Sequence, residues 1–110
     1  MPVRKYKRRY LALKLEGSLP QRASELEELV LNAIIELFGE DGAANARLKL
    51  IEYDASRGVG ILRCSHRHMA LVRAALAAIT ERGGEPLAVH VVDVSGTLRA
   101  LRKRLPTRAA

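Results

Sequence analysis

The stretch VVDVSGTLRALRKRL, residues 91–105, sets a strand-like run against a strongly basic segment. Ser95, Gly96 and Thr97 stand at the junction, and Arg99, Arg102, Lys103 and Arg104 follow. Two chemistries fit that order. The hydroxyls can cap a helix start, accepting backbone N–H groups that have no partner within the helix. Alternatively, the same free amides face a phosphate, with Arg99 able to reach the same region. Capping is the expected use, because every helix start must satisfy its amides. Cys64, His66 and His68 have the residue types of metal or thiol chemistry. Cys64 alternates with Leu62 onto the expected core side, where a thiol is inert. The two histidines are two residues apart, not the four that align ligands on one helix face, so no metal site is expected. Asp41, Asp54 and Asp93 fall in a loop, a hairpin turn and a strand end, whereas metal-dependent hydrolysis needs carboxylates converging on one point. His90 is expected to be a hydrogen-bonded structural histidine. No catalytic residue is expected.

These residues hang on a regular succession of elements. Residues 8–16 alternate, with Leu11, Leu13 and Leu15 on one side and Tyr10, Ala12 and Lys14 on the other, a half-buried strand ending at Gly17. Residues 22–38 carry Leu26, Leu29, Val30, Ala33, Ile34, Leu37 and Phe38 at helical spacing, with Gly39 as the stop. Leu31 and Ile35 widen that helix's apolar stripe beyond one core face and suggest a second contact surface, for a protein partner. Residues 40–46 are expected to be a loop or a short helical turn. Strands are expected over 47–53 and 59–64, joined as a hairpin by 54–58. Ser65 is placed to cap a second helix that Gly83 and Gly84 end. A fourth strand is expected over 86–94, then a basic helix over about 95–105 with Leu98, Leu101 and Leu105 on one side, and a tail over 106–110.

The order β-α-β-β-α-β plus a helix predicts an α+β fold. It is the ferredoxin-like, RRM-like two-layer sandwich, with a four-stranded antiparallel sheet and both main helices on one face. RRM domains stack bases on aromatic side chains of the third strand. The equivalent segment here, RGVGILRC (57–64), keeps Arg57, Gly58 and Gly60 but has Val59 and Ile61 where the aromatics belong. Base stacking is therefore not expected. The open sheet face, carrying Tyr10, Ala12, Lys14, Val59, Ile61 and Arg63, suits the added C-terminal helix or a protein partner.

The 110 residues fit one domain, expected to span 1–110 with a basic arm over 1–9. No apolar run is long enough to cross a membrane, and the basic start lacks the apolar stretch of a signal peptide. With a single cysteine and no internal disulfide, a cytoplasmic location is the default expectation. The net charge is +7, and its placement is uneven. Arg4, Lys5, Lys7, Arg8 and Arg9 crowd the start, and Arg99, Arg102, Lys103, Arg104 and Arg108 crowd the end, with no acid in either segment. The body between them is slightly acidic. A polyanion is the expected partner, and nucleic acid is the commonest one. Contact with RNA by His66, Arg67 or His68 is left open. Two other readings remain: a protein-interaction or regulatory domain with solvated basic ends, and a metal- or thiol-dependent enzyme using Cys64, His66 and His68.

Several segments together resemble protein component 2 of archaeal ribonuclease P, a family shared with a eukaryotic ribonuclease P and MRP subunit. They are the basic start into RRYLALKLEG, the strand GVGILRCSH, the helix LVRAALAAI and, above all, VSGTLRALRKR. The resemblance covers about residues 4–105. It implies an RNA-binding subunit of the ribonucleoprotein that removes the 5′ leader from precursor tRNA. In that family the RNA subunit is the catalyst and holds the magnesium, so the protein binds no cofactor of its own. The protein stabilises the catalytic RNA domain and pairs with a TIM-barrel protein, component 3; self-association is left open. The residues then expected at RNA are Arg4, Lys5, Lys7, Arg8, Arg9, Ser95, Thr97, Arg99, Arg102, Lys103 and Arg104, with Leu31 and Ile35 at the protein partner.

Overall fold

The computed structural model describes residues 7–104; Arg4, Lys5, Leu105 and the tail lie outside the described residues. The elements are β1 (Arg8–Gly17), α1 (Ala23–Ala46), β2 (Lys49–Asp54), β3 (Val59–Ser65), a 3-10 turn (His66–His68), α2 (Met69–Ala78), β4 (Glu81–Arg82), β5 (Glu85–Ser95) and α3 (Leu98–Arg104). The class is α+β: one antiparallel sheet with three α-helices. The sheet order is β2-β3-β1-β5-β4. The expected four strands are thus joined by a fifth, the two-residue β4 at one edge.

That fifth strand comes from Gly83 and Gly84. Both have positive φ, +60° and +84°, the backbone of a tight two-residue hairpin turn. The glycines therefore do not end α2. The helix stops at Ala78, Ile79 turns extended, and Glu81 and Arg82 pair back onto Pro86 and Glu85. Gly39 also behaves differently from a simple stop. Its φ of +80° breaks α1, yet the backbone turns helical again through Ala46, so of the two expected forms residues 40–46 take the helical one and not the loop. At the other end of α1, Glu25 accepts the Arg22 N–H at 3.0 Å, closing the first turn.

The alternation in β1 builds two cores, one on each sheet face. Leu11, Leu13 and Leu15 join Leu62, Cys64, Leu87 and Val89 beneath α1 and α2, which contribute Leu26, Val30, Ile34, Val72 and Leu76. Each such aliphatic side chain contributes roughly 1.5–3 kcal/mol by leaving water. On the opposite face Ala12 and Ile61 bury Leu101 of α3, which is 0% exposed, with Tyr10, Ile51 and Leu98 around them. The open face is therefore covered along its centre by the chain's own last helix.

Two β-bulges sort the charges between these faces. In β5 the register jumps from Asp93 opposite Ala12 to Val91 opposite Leu13, leaving Val92 as the extra residue. Strict alternation would put Asp93 and Val91 on one face. The bulge sends Asp93 to the α3 side while Val91 packs into the larger core. A second jump in β2, between Leu50 and Glu52, does the same there. Leu50 packs under the helices and Glu52 faces α3.

Candidate nucleic-acid interface

The junction at Ser95-Gly96-Thr97 resolves into a turn and a cap. Ser95 is the last residue of β5, and its Oγ accepts the Thr97 N–H at 3.2 Å. Thr97 is the residue that caps α3. Its Oγ1 accepts the Ala100 N–H at 3.1 Å and its carbonyl accepts the Leu101 N–H at 3.2 Å. The helix thus starts at Leu98, later than expected, and the hydroxyls are used within the chain. Ser65 does not cap through its side chain; its hydroxyl sits 3.3 Å from Nδ1 of His68.

The basic residues of α3 divide into two pairs. Arg104 grips Asp93 with two hydrogen bonds of 3.0 Å and also reaches the Val94 carbonyl at 2.8 Å. That guanidinium, offset in part by desolvation, holds the Asp93 carboxyl below its ordinary range. Arg102 meets Glu52 of β2 at 2.6 Å. These two arginines pin α3 across the sheet to opposite flanking strands, with Leu101 between them. Arg99 and Lys103 have no hydrogen-bond or ion-pair partner among the described residues and are exposed. The four α3 cations expected at RNA are thus two anchors, Arg102 and Arg104, and two heads without a partner among the described residues.

More cations gather where β1 and β2 begin and β3 ends. Lys7 precedes β1 and its carbonyl accepts the His66 N–H at 2.8 Å, which places the 3-10 turn with His66 and Arg67 beside the start of β1. Arg8 stands opposite Ser65 and Arg9 opposite Cys64. Arg63 lies directly between Tyr10 of β1 and Lys49 of β2. The sequence pattern does not single out Lys49, and it sets Arg63 on the open face without a role. The missing signal was strand register, which no local spacing reveals.

The remaining candidates are placed plainly. Cys64 is buried, and burial pushes its thiol up to about 11, partly offset by the nearby Arg9. Among the described residues no three His, Cys, Asp or Glu side chains converge as a metal site would require. His90 is an exposed residue 3.3 Å from Glu16. On α1, Leu31 is 36% exposed, but Ile35 is partly buried against the larger core. Leu37 and Phe38, expected in that core, are 51% and 42% exposed. They directly precede the break at Gly39, where the helix axis changes course.

Fold and site together define a small α+β protein in which, among the described residues, one sheet is covered on both faces, with cations collected along one sheet end and one short helix. Residues 9–106 match the model of the Rpp14/Pop5 family, and the chain belongs to that family. Among curated relatives, the ribonuclease P protein component 2 of Pyrococcus furiosus is 31% identical over 94% of this chain and 86% of its own length. The protein of the same name from Methanosarcina mazei is 31% identical over 90% and 84%. A chain in the cryo-EM structure of yeast ribonuclease MRP shares the fold at a TM-score of 0.71, with 15% identity, covering 99% of this chain and 85% of that one.

Proposed function

We propose that this protein is an RNA-binding subunit of ribonuclease P, supporting RNA-catalysed removal of the 5′ leader from precursor tRNA by stabilising the catalytic RNA domain. Its scaffold is then a ferredoxin-like sandwich extended by a short edge hairpin. The observation that carries the reading is a set of cations without carboxylate partners among the described residues, Arg99, Lys103, Arg63 and Lys49, on a chain whose relatives are named ribonuclease P protein component 2. Mechanistically the protein acts through charge. Its guanidinium and ammonium groups neutralise phosphates where RNA strands crowd together, which lowers the magnesium that the RNA needs to hold its active fold. The magnesium belongs to the RNA. Ser95 and Thr97, spent on the turn and cap, act by fixing α3 and not by touching phosphate. Leu31, with the exposed Leu37 and Phe38, supplies an apolar surface for a protein partner, the TIM-barrel component 3 or a second copy, in a cytoplasmic particle.

Reconstitution tests this directly. Adding the protein to a ribonuclease P RNA transcript is expected to lower the magnesium concentration at which precursor tRNA is cleaved. A magnesium profile identical with and without the protein, and no salt-dependent binding to the transcript, would refute the reading.

A further inference from the structure

Lys49 and Arg63 are directly opposed on neighbouring antiparallel strands, on the face that α3 covers. Opposed side chains there have Cβ atoms only about 4.5–5.5 Å apart, and like charges in that position repel. A folded chain commonly relieves such a pair with a carboxylate. Here the next acid of β2 on the same face, Glu52, is already held by Arg102 at 2.6 Å. Neither Lys49 nor Arg63 has a hydrogen-bond or ion-pair partner among the described residues. Lys49 is exposed and Arg63 half-buried.

We propose that Lys49 and Arg63 form a two-pronged binding site for one RNA phosphodiester, and that the repulsion between them is relieved when the phosphate binds. The inference rests on the RNA-binding reading above. The chemistry suits the shape: a guanidinium offers paired N–H donors to two phosphate oxygens, while the ammonium adds a compact charge from the side. Arg102 of α3 engages Glu52, the acid of β2 on the same face. The short helix thereby takes part in RNA binding twice, through Arg99 and Lys103 and by occupying an acid on that face.

The site separates stability from binding, and the test uses that. The full chain is titrated with a ribonuclease P RNA transcript over a range of salt, for the wild type, Lys49→Gln, Lys49→Glu and Arg73→Gln. Arg73 is exposed on α2, beneath the other sheet face, and controls for loss of one charge. Losing one phosphate contact should flatten the log–log salt slope by about 0.7–0.9 in Lys49→Gln and leave Arg73→Gln near the wild type. Lys49→Glu should bind RNA more weakly still, yet melt about 2–4 °C higher, because repulsion across the strands becomes attraction. A salt slope unchanged in Lys49→Gln, or flattened equally in Arg73→Gln, would overturn the site while the RNA-binding reading stands. A melting temperature lowered in Lys49→Glu would overturn the repulsion argument. Wild-type protein that fails to bind the transcript at all would instead sink the functional reading.

Discussion

Replacing Leu101 by alanine is expected to release α3 without unfolding the domain. Leu101 is fully buried, but its pocket is a single layer: Ala12 and Ile61 below, Tyr10, Ile51 and Leu98 at the rim. Leucine-to-alanine changes in closed cores cost about 2–5 kcal/mol, the larger values arising where a cavity persists. Here the cavity can vanish by α3 lifting into water, so the low end applies, about 2 kcal/mol. A helix of seven residues is not stable alone in water, so once undocked it unravels. Two kcal/mol shifts the docking equilibrium by roughly 30-fold. Hydrogen exchange reads the outcome locally. Amides of residues 100–104 should lose protection by that factor, while those of β1 and α1 keep theirs. RNA affinity should fall with the docked fraction. If Leu101→Ala instead lowered the protection of every strand together, α3 would be part of the main cooperative unit and the two-core reasoning would be wrong.

Exchanging the charges of the Arg102–Glu52 pair, by Arg102→Glu together with Glu52→Arg, leaves net charge unchanged; RNA affinity should return close to wild type, whereas Arg102→Glu alone should weaken it. A double variant no better than the single one would show that Arg102 touches RNA itself. Acid should free the same helix. The Asp93 carboxyl, hydrogen-bonded to Arg104, titrates below its unfolded value, so its contribution is intact above the ordinary aspartate range and lost as pH falls through the lowered one; fading protection of residues 100–104 across that acidic window, absent in Asp93→Asn, is the expected record. On α1, Leu31→Lys should leave the urea midpoint nearly unchanged but impair assembly with the protein partner, while Ile35→Lys should lower monomer stability by about 1–3 kcal/mol, because Ile35 packs against the core. Equal losses of stability in both would remove Leu31 from the interface.

Local pattern was enough where it was uninterrupted. The alternation of Leu11, Leu13 and Leu15 against Tyr10, Ala12 and Lys14 located β1 and told its faces apart, and the helical spacing from Leu26 to Ile34 located the core face of α1. Failures came where one residue type serves two backbones. Glycine stops helices, but a Gly-Gly pair also makes a tight hairpin turn, and only the partner segment at Glu85 and Pro86 distinguishes them. Gly39 interrupted α1 without ending it. The division of the α3 cations was hidden for a different reason. Arg102 finds its acid 50 positions away, and both acids face α3 only because a bulge breaks the alternation of their strands.

On the proposed RNA-binding reading, those bulges also limit how the domain meets RNA. An RRM domain binds on the flat of its sheet, where aromatics lie open. In this chain that ground is occupied: Ile61 is 1% exposed, and α3 lies over it, fastened on one side by Glu52 and on the other by Asp93. Reading bases on the sheet would require both fastenings to break and Leu101 to enter water. What remains accessible are the exposed Arg99 and Lys103 of α3, without a partner among the described residues, and the row of cations where β1 and β2 begin and β3 ends. Such side chains recognise phosphate and RNA shape and carry little information about base identity. A protein that binds in this way gains selectivity from the rigid spacing of its cations. For that spacing, the two acidic residues that hold α3 in place matter as much as the cations they position.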